Sequence, residues 1–202
     1  MPEEKPEKDP PSNDVGSGKL TSVQKRNLFL LLLAYASLMS STTMVIGTAS
    51  NLVLGVGGSP QLAPIALACF FMGSALVSRF QVFDGGRRVG FLIGNVVGLL
   101  GASFGALSIF LASENLTTAA TCLLLLSYVP LGAANGIGLY LRFAAGEVVP
   151  PPKRPFAITS VLSGGVVAAF SGPESAAMLR TMMDDKTARH YGFFGMIAVW
   201  NI

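Results

Sequence analysis

Residues 27–54 read NLFLLLLAYASLMSSTTMVIGTASNLVL, a run without a single charge. About 20 such residues, wound as an α-helix, cross the hydrocarbon core of a bilayer, and this run is longer than that. Its first half is almost wholly aliphatic and aromatic. Its second half carries the hydroxyl cluster Ser40, Ser41, Thr42 and Thr43 before Gly55 and Gly57 close it. Runs of the same kind follow at 62–82, 89–112, 116–141 and 156–179, and the start of a sixth begins near residue 191. They are continuous, unlike the short alternating segments of membrane barrel strands. The expectation is an all-α, polytopic transmembrane bundle over 26–202, with five full spans and a partial sixth.

Composition points the same way. Hydrophobic residues make up 51% of the 202 and charged residues only 12%, whereas a soluble domain has about 25% charged residues. Mean hydropathy is +0.57. The formal charge of +3 sits at helix ends and does not indicate nucleic acid. Cys69 and Cys122 both lie inside apolar runs, where a small buried hydrophobe is expected and a disulfide or metal ligand is not. With one histidine in the chain, neither a metal site nor a cofactor is expected. The phosphate-binding Gly-Lys-Ser/Thr loop, the His-Glu-x-x-His helix and the Gly-x-Ser-x-Gly turn do not occur, which argues against an enzyme or a nucleotide-driven pump.

Residues 1–25 differ from the rest, being rich in charge, Pro, Gly and Ser, and are expected to form a disordered tail. No short apolar stretch with a cleavage site precedes the first run, so that run is expected to insert the chain itself. Basic residues then mark alternate connections. Lys19, Lys25 and Arg26 precede the first run, Arg79, Arg87 and Arg88 flank the second connection, and Arg142, Lys153 and Arg154 flank the fourth. The first and third connections carry none. This asymmetry places the amino terminus in the cytoplasm.

Small and polar residues give the next layer. Gly94, Gly98, Gly101 and Gly105 share one face of the third run, and Gly132 and Gly136 follow Pro130 in the fourth, a pattern that lets neighbouring helices approach closely. Within the membrane, Ser41, Thr42, Asn95, Asn135 and Glu174 are candidates for a solute or proton pathway, since polar groups are costly there. For Ser41 and Thr42 the competing role is a bond to their own helix carbonyls. For Glu174 it is a solvated position at the outer boundary.

Two connections carry further pattern. The second contains Asp84-Gly85-Gly86-Arg87-Arg88, and the fourth contains Glu147-Val148-Val149-Pro150-Pro151-Pro152-Lys153-Arg154. Together they resemble the paired cytoplasmic loop signatures of the major facilitator superfamily of secondary transporters. Gly172-Pro173, preceded by Ser160 and Ala168, is similar to that family's Gly-Pro signature in exporters. Two departures stand out: one residue fewer separates Asp84 from its glycine, and no arginine occurs near Pro130 or Leu131. The resemblance implies the amino-terminal half of a twelve-helix protein, surrounded by lipid and completed by a carboxyl-terminal half or a second copy. It further implies transport of a small solute by alternating access. In that case Asp84, Gly86, Arg87, Arg88, Glu147, Pro150 and Arg154 would form a cytoplasmic gate.

The residues alone leave two roles open for these loops. The cations can anchor topology at lipid head groups, or acids and cations together can latch one arrangement of the bundle through charge-assisted hydrogen bonds. The rival to a transporter is a non-transporting membrane scaffold or partner subunit derived from a truncated one. The chain reaches Ile202 with its sixth run about half a span long, which favours that rival more than any motif does and otherwise implies either a fragment or a carboxyl-terminal half supplied elsewhere. The topology has a direct test. Single cysteines at Arg88 and Arg154 are expected to react with an impermeant maleimide from the same, cytoplasmic side, and labelling from opposite sides would sink the arrangement.

Overall fold

A computed structural model describes residues 20–80, 87–182 and 186–201, with backbone only at 78–80, 87–88, 180, 186–190 and 199–201. All regular structure among the described residues is helical. Helix α1 (Ser22–Gly55) opens on a capping box: the Thr21 N–H donates to Gln24 Oε1 at 3.0 Å, and the Gln24 N–H donates to Thr21 Oγ1 at 3.3 Å. That cap starts the helix within the segment expected to be tail; residues 1–19 lie outside the described residues. At the other end Gly57, at φ 83°, takes the left-handed conformation that glycine tolerates best. There the Gly58 N–H reaches the Val53 carbonyl at 2.9 Å and the Gly57 N–H reaches Leu54 at 3.1 Å, which closes the helix in a Schellman turn.

Helix α2 (Ala63–Phe80) follows a 3-10 turn at Pro60–Leu62, and α3 (Arg87–Ser113) ends as α1 does, this time on Asn115 at φ 61°. The fourth span is Thr117–Val148, made of α4 (Thr117–Gly138) and α5 (Leu141–Val148). It is longer than the run at 116–141 because the chain stays helical past the short break at 139–140. The fifth span, Pro151–Leu179, joins α6 (Arg154–Leu162) to α7 (Gly164–Met182) across Ser163, beside the Gly164-Gly165 pair. Helix α8 (Lys186–Asn201) begins earlier than the sixth apolar run and has 16 residues. Among the described residues, five helical segments are therefore long and apolar enough to cross a membrane. Their outer faces suit lipid, with Phe170 72%, Leu92 65% and Phe156 62% exposed.

Helix α4 is the centre of the bundle. Every residue from Leu131 to Gly138 is buried, because neighbours crowd it on all sides. Against α2 it packs backbone on backbone. A side chain at Gly132 would collide with the Phe70 carbonyl, one at Gly73 would collide with the Val129 carbonyl, and one at Gly136 would come within 2.6 Å of the Ser74 oxygen. The glycine face of α3 meets α4 and α8: a Cβ at Gly94 would lie 2.9 Å from Ile137, one at Gly101 would lie 2.8 Å from Leu131, and one at Gly105 would enter the Phe194 ring. Lipid offers no hydrophobic drive for helix association, so such close contacts provide the dispersion that does.

The same contacts fix direction. Residue numbers rise together along α2 and α4 and along α1 and α7, where Gly164 meets Leu32 and Ala36 and Gly172 meets Ser40 and Thr43. They run oppositely along α3 and α4 and along α1 and α4. The first three spans and the last three are thus related by inversion. As α1 packs on α7, so α4 packs on α2; as α3 packs on α4, so α8 packs on α1; and α3 meets α8 directly.

Two alanine substitutions separate a packed glycine from an exposed one. Gly132→Ala is expected to lower stability by about 1–3 kcal/mol, because its methyl group must displace backbone. Gly47, with nothing within 4 Å of its would-be Cβ, is expected to accept alanine without loss. Thermal unfolding of the two variants in detergent compares them.

Candidate functional site

The starts of α1, α3 and α6 and the end of α5 lie at one end of the bundle, since the spans alternate in direction. That end gathers the charged connections. Asp84 and Gly86 lie outside the described residues, and Arg87 and Arg88 open α3 with their side chains outside them. Glu147 is exposed in the last turn of α5. Pro150 is also exposed, and its carbonyl accepts the Lys153 N–H at 2.9 Å, which turns the chain into α6. Arg154, exposed at the first position of α6, packs near Gly146 of α5. Beside them the Arg142 guanidinium lies 4.9 Å from the Phe143 ring centre, and its buried Nε has no hydrogen-bond partner among the described residues.

Deeper in the bundle, the hydroxyl cluster of α1 points two ways. Thr42 Oγ1 lies 2.8 Å from Asn135 Oδ1 of α4 and 3.0 Å from the Leu38 carbonyl of its own helix, so a single proton serves two acceptors. Ser40 hydrogen-bonds the Ser171 hydroxyl of α7 while donating to the Ala36 carbonyl at 2.8 Å. Thr43 reaches Met39, Ser40 and, across the interface at 3.3 Å, Ala168 of α7. Ser41 is buried. The structure therefore joins Thr42 to Asn135 and seats Gly172 against Ser40 and Thr43. Pro173 and Glu174 are exposed on α7, one and two residues beyond that contact.

Asn95 belongs to a different place. It lines a cleft of about 330 Å³ between α1, α3 and α4, at the end that carries the charged connections. Ser37 shares the cleft, and Leu33, Leu38, Phe91 and Ile137 supply much of its apolar wall. All of its lining residues are uncharged. Sequence reasoning missed Ser37 and Ser171. The position of Ser171 directly before Gly172-Pro173, on the face of α7 that carries Gly164 and Ala168, was the available signal.

One curated relative gives these features a setting. The riboflavin transporter RfnT of Brucella anthropi is 27% identical to the chain over 164 residues, which are 80% of this chain and 39% of the relative. The chain thus spans about two fifths of that transporter's length. No family model matches, and no solved structure matches. With its apolar helices and this likeness, the chain is an integral, multi-pass membrane protein.

The Thr42–Asn135 bond can be weighed directly. A double-mutant cycle of Thr42→Val and Asn135→Leu, read by unfolding in detergent, is expected to give a coupling of about 0.6 kcal/mol, the usual size for a hydrogen bond between membrane helices. Strict additivity would mean that the two side chains do not interact.

Proposed function

We propose that the chain forms the amino-terminal helical bundle of a secondary transporter of the major facilitator type, with its amino terminus in the cytoplasm. In complete form it moves a small solute by alternating access. The observation that carries this reading is the inverted packing of the two helix triplets about α1 and α4. Inverted repeats give a transporter two related half-structures, so that inward- and outward-facing arrangements can be built from the same contacts. The likeness to a transporter supports the same role in general terms.

In this reading Arg87, Arg88, Glu147, Pro150 and Arg154, with Asp84 and Gly86, make up the cytoplasmic gate. Asn95 and Ser37 belong to the solute path, and Glu174 to a proton or cation path. Thr42 and Asn135 hold α1 against α4 beside that path. Lipid surrounds the bundle, and a second bundle, corresponding to the rest of the relative's length, supplies the opposite wall.

Riboflavin is the first solute to test, because it is the cargo in the relative's name. The chain, reconstituted alone and within its longest reading frame, is expected to give saturable riboflavin uptake in proteoliposomes in at least the longer form. Asn95→Leu is expected to reduce that uptake with expression unchanged. If no form moves riboflavin or any of a panel of small solutes, the transporter reading fails and the scaffold takes its place.

A further inference from the structure

Helix α7 has two unlike sides. One carries the small residues Gly164, Ala168 and Gly172, all buried, and seats on α1. The other carries Val167, Phe170, Met178 and Met182, each half or more exposed. Glu174, also exposed, stands in the middle of this second side, four residues from Phe170 and four from Met178, so the three share one helical face.

The contact with α1 sets the depth of that carboxylate. Gly172 meets Ser40 and Thr43, which sit at the middle of the charge-free run 27–54 of α1. On α4 the same level is marked by Asn135, bonded to Thr42 and set in the wholly buried stretch 131–138. Glu174 follows Gly172 by two residues, about 3 Å along the axis. Beyond Thr43, eleven residues of α1 still lead to Leu54, about 16 Å of helix and so about half the thickness of a hydrocarbon core. The next charge on α7, Arg180, comes six residues later. Glu174 is therefore level with the bilayer interior and not with its outer surface.

A carboxylate at that depth is costly against acyl chains, and such acids mark either an aqueous cavity or a partner that supplies positive charge. Water does not suit the surroundings, because the side chains above and below Glu174 on its face are large and apolar. One charged group within an apolar helical face suits a helix–helix contact, in which a single pair sets register and partner. A second copy in the same orientation would bring Glu174 against Glu174, two like charges. We propose that this face of α7 docks a transmembrane helix carrying a lysine or arginine level with Glu174. The docking does not rest on the transporter reading; under that reading the docked helix belongs to the second bundle, and a travelling proton or cation competes with the fixed one for the same carboxylate.

The full chain, with Cys69 and Cys122 changed to serine, tests the depth first. Glu174→Cys is expected to resist an impermeant maleimide added from either side of the membrane; prompt labelling puts position 174 in water and overturns the docking. In nanodiscs of uncharged lipid the probe is a synthetic leucine helix with one central lysine. Energy transfer is expected to show it bound, with binding about tenfold weaker to Glu174→Leu, and as weak for a helix with leucine in place of the lysine. Equal binding in all three cases overturns the pairing. In native membranes, benzoylphenylalanine in place of Phe170 is expected to cross-link a transmembrane segment with Lys or Arg within one turn of the adduct, and to lose that product in Glu174→Leu. Adducts with lipid alone, with a second copy, or with a segment lacking a cation overturn the docking. If the pairing holds throughout while no form moves a solute, the docking stands and the transporter reading fails. Solute uptake undiminished by Glu174→Leu, with no cross-linked segment, keeps the transporter reading and removes the docking.

Discussion

The seating of bare backbone against bare backbone along α4 is the contact on which the rest of the bundle depends. A helix in lipid satisfies its own hydrogen bonds, so nothing obliges it to meet another. What draws α2 and α3 to α4 is the proximity allowed at Gly73, Gly132 and Gly136 on one side and at Gly94 and Gly101 on the other. With α1 on the remaining side, where Leu38 meets Gly138 and Thr42 meets Asn135, residues 131–138 are all buried, and α7 packs on the far side of α1. The polar contacts between α1 and its neighbours follow from that placement.

Much of this was legible in the sequence because lipid simplifies the code. Length and apolarity alone located five spans, and four glycines at three- and four-residue steps marked the face of α3 that meets its neighbours. The alternation of basic connections anticipated that the starts of α3 and α6 share one end of the bundle, and the directions of the helices agree; the side of the membrane they face is part of the proposal. Helix ends were harder. Thr21 and Gln24 start α1 inside a polar segment because a capping box depends on a local bond that composition does not register. The fourth span continues past 141 because Leu141, Ala144 and Ala145 bury one side of α5 although Arg142 and Glu147 interrupt its apolar run.

The candidate site was legible residue by residue but not in its pairings. Thr42 and Asn135 could each be picked out as a polar group in an apolar run, yet their union depends on how α1 crosses α4, which no local pattern encodes. Asn95 appeared equivalent to Asn135 in sequence. The structure separates them, burying Asn135 between helices and leaving Asn95 in an open cleft with Ser37. The Gly172-Pro173 step was read for its resemblance to a transporter signature. Physically it is the place where α7 makes room for the hydroxyl cluster of α1.

The Phe194 ring fills the hollow left at Gly105, and Phe193 and Ile197 complete the same apolar cluster with residues from α1 and α4. These rings come from the last helix of the chain, whereas the hollow is made by the third. During synthesis the ribosome delivers about ninety residues between Gly105 and Phe194, so the hollow is made well before the ring that fills it. Closure of this side of α3 therefore waits on the arrival of α8.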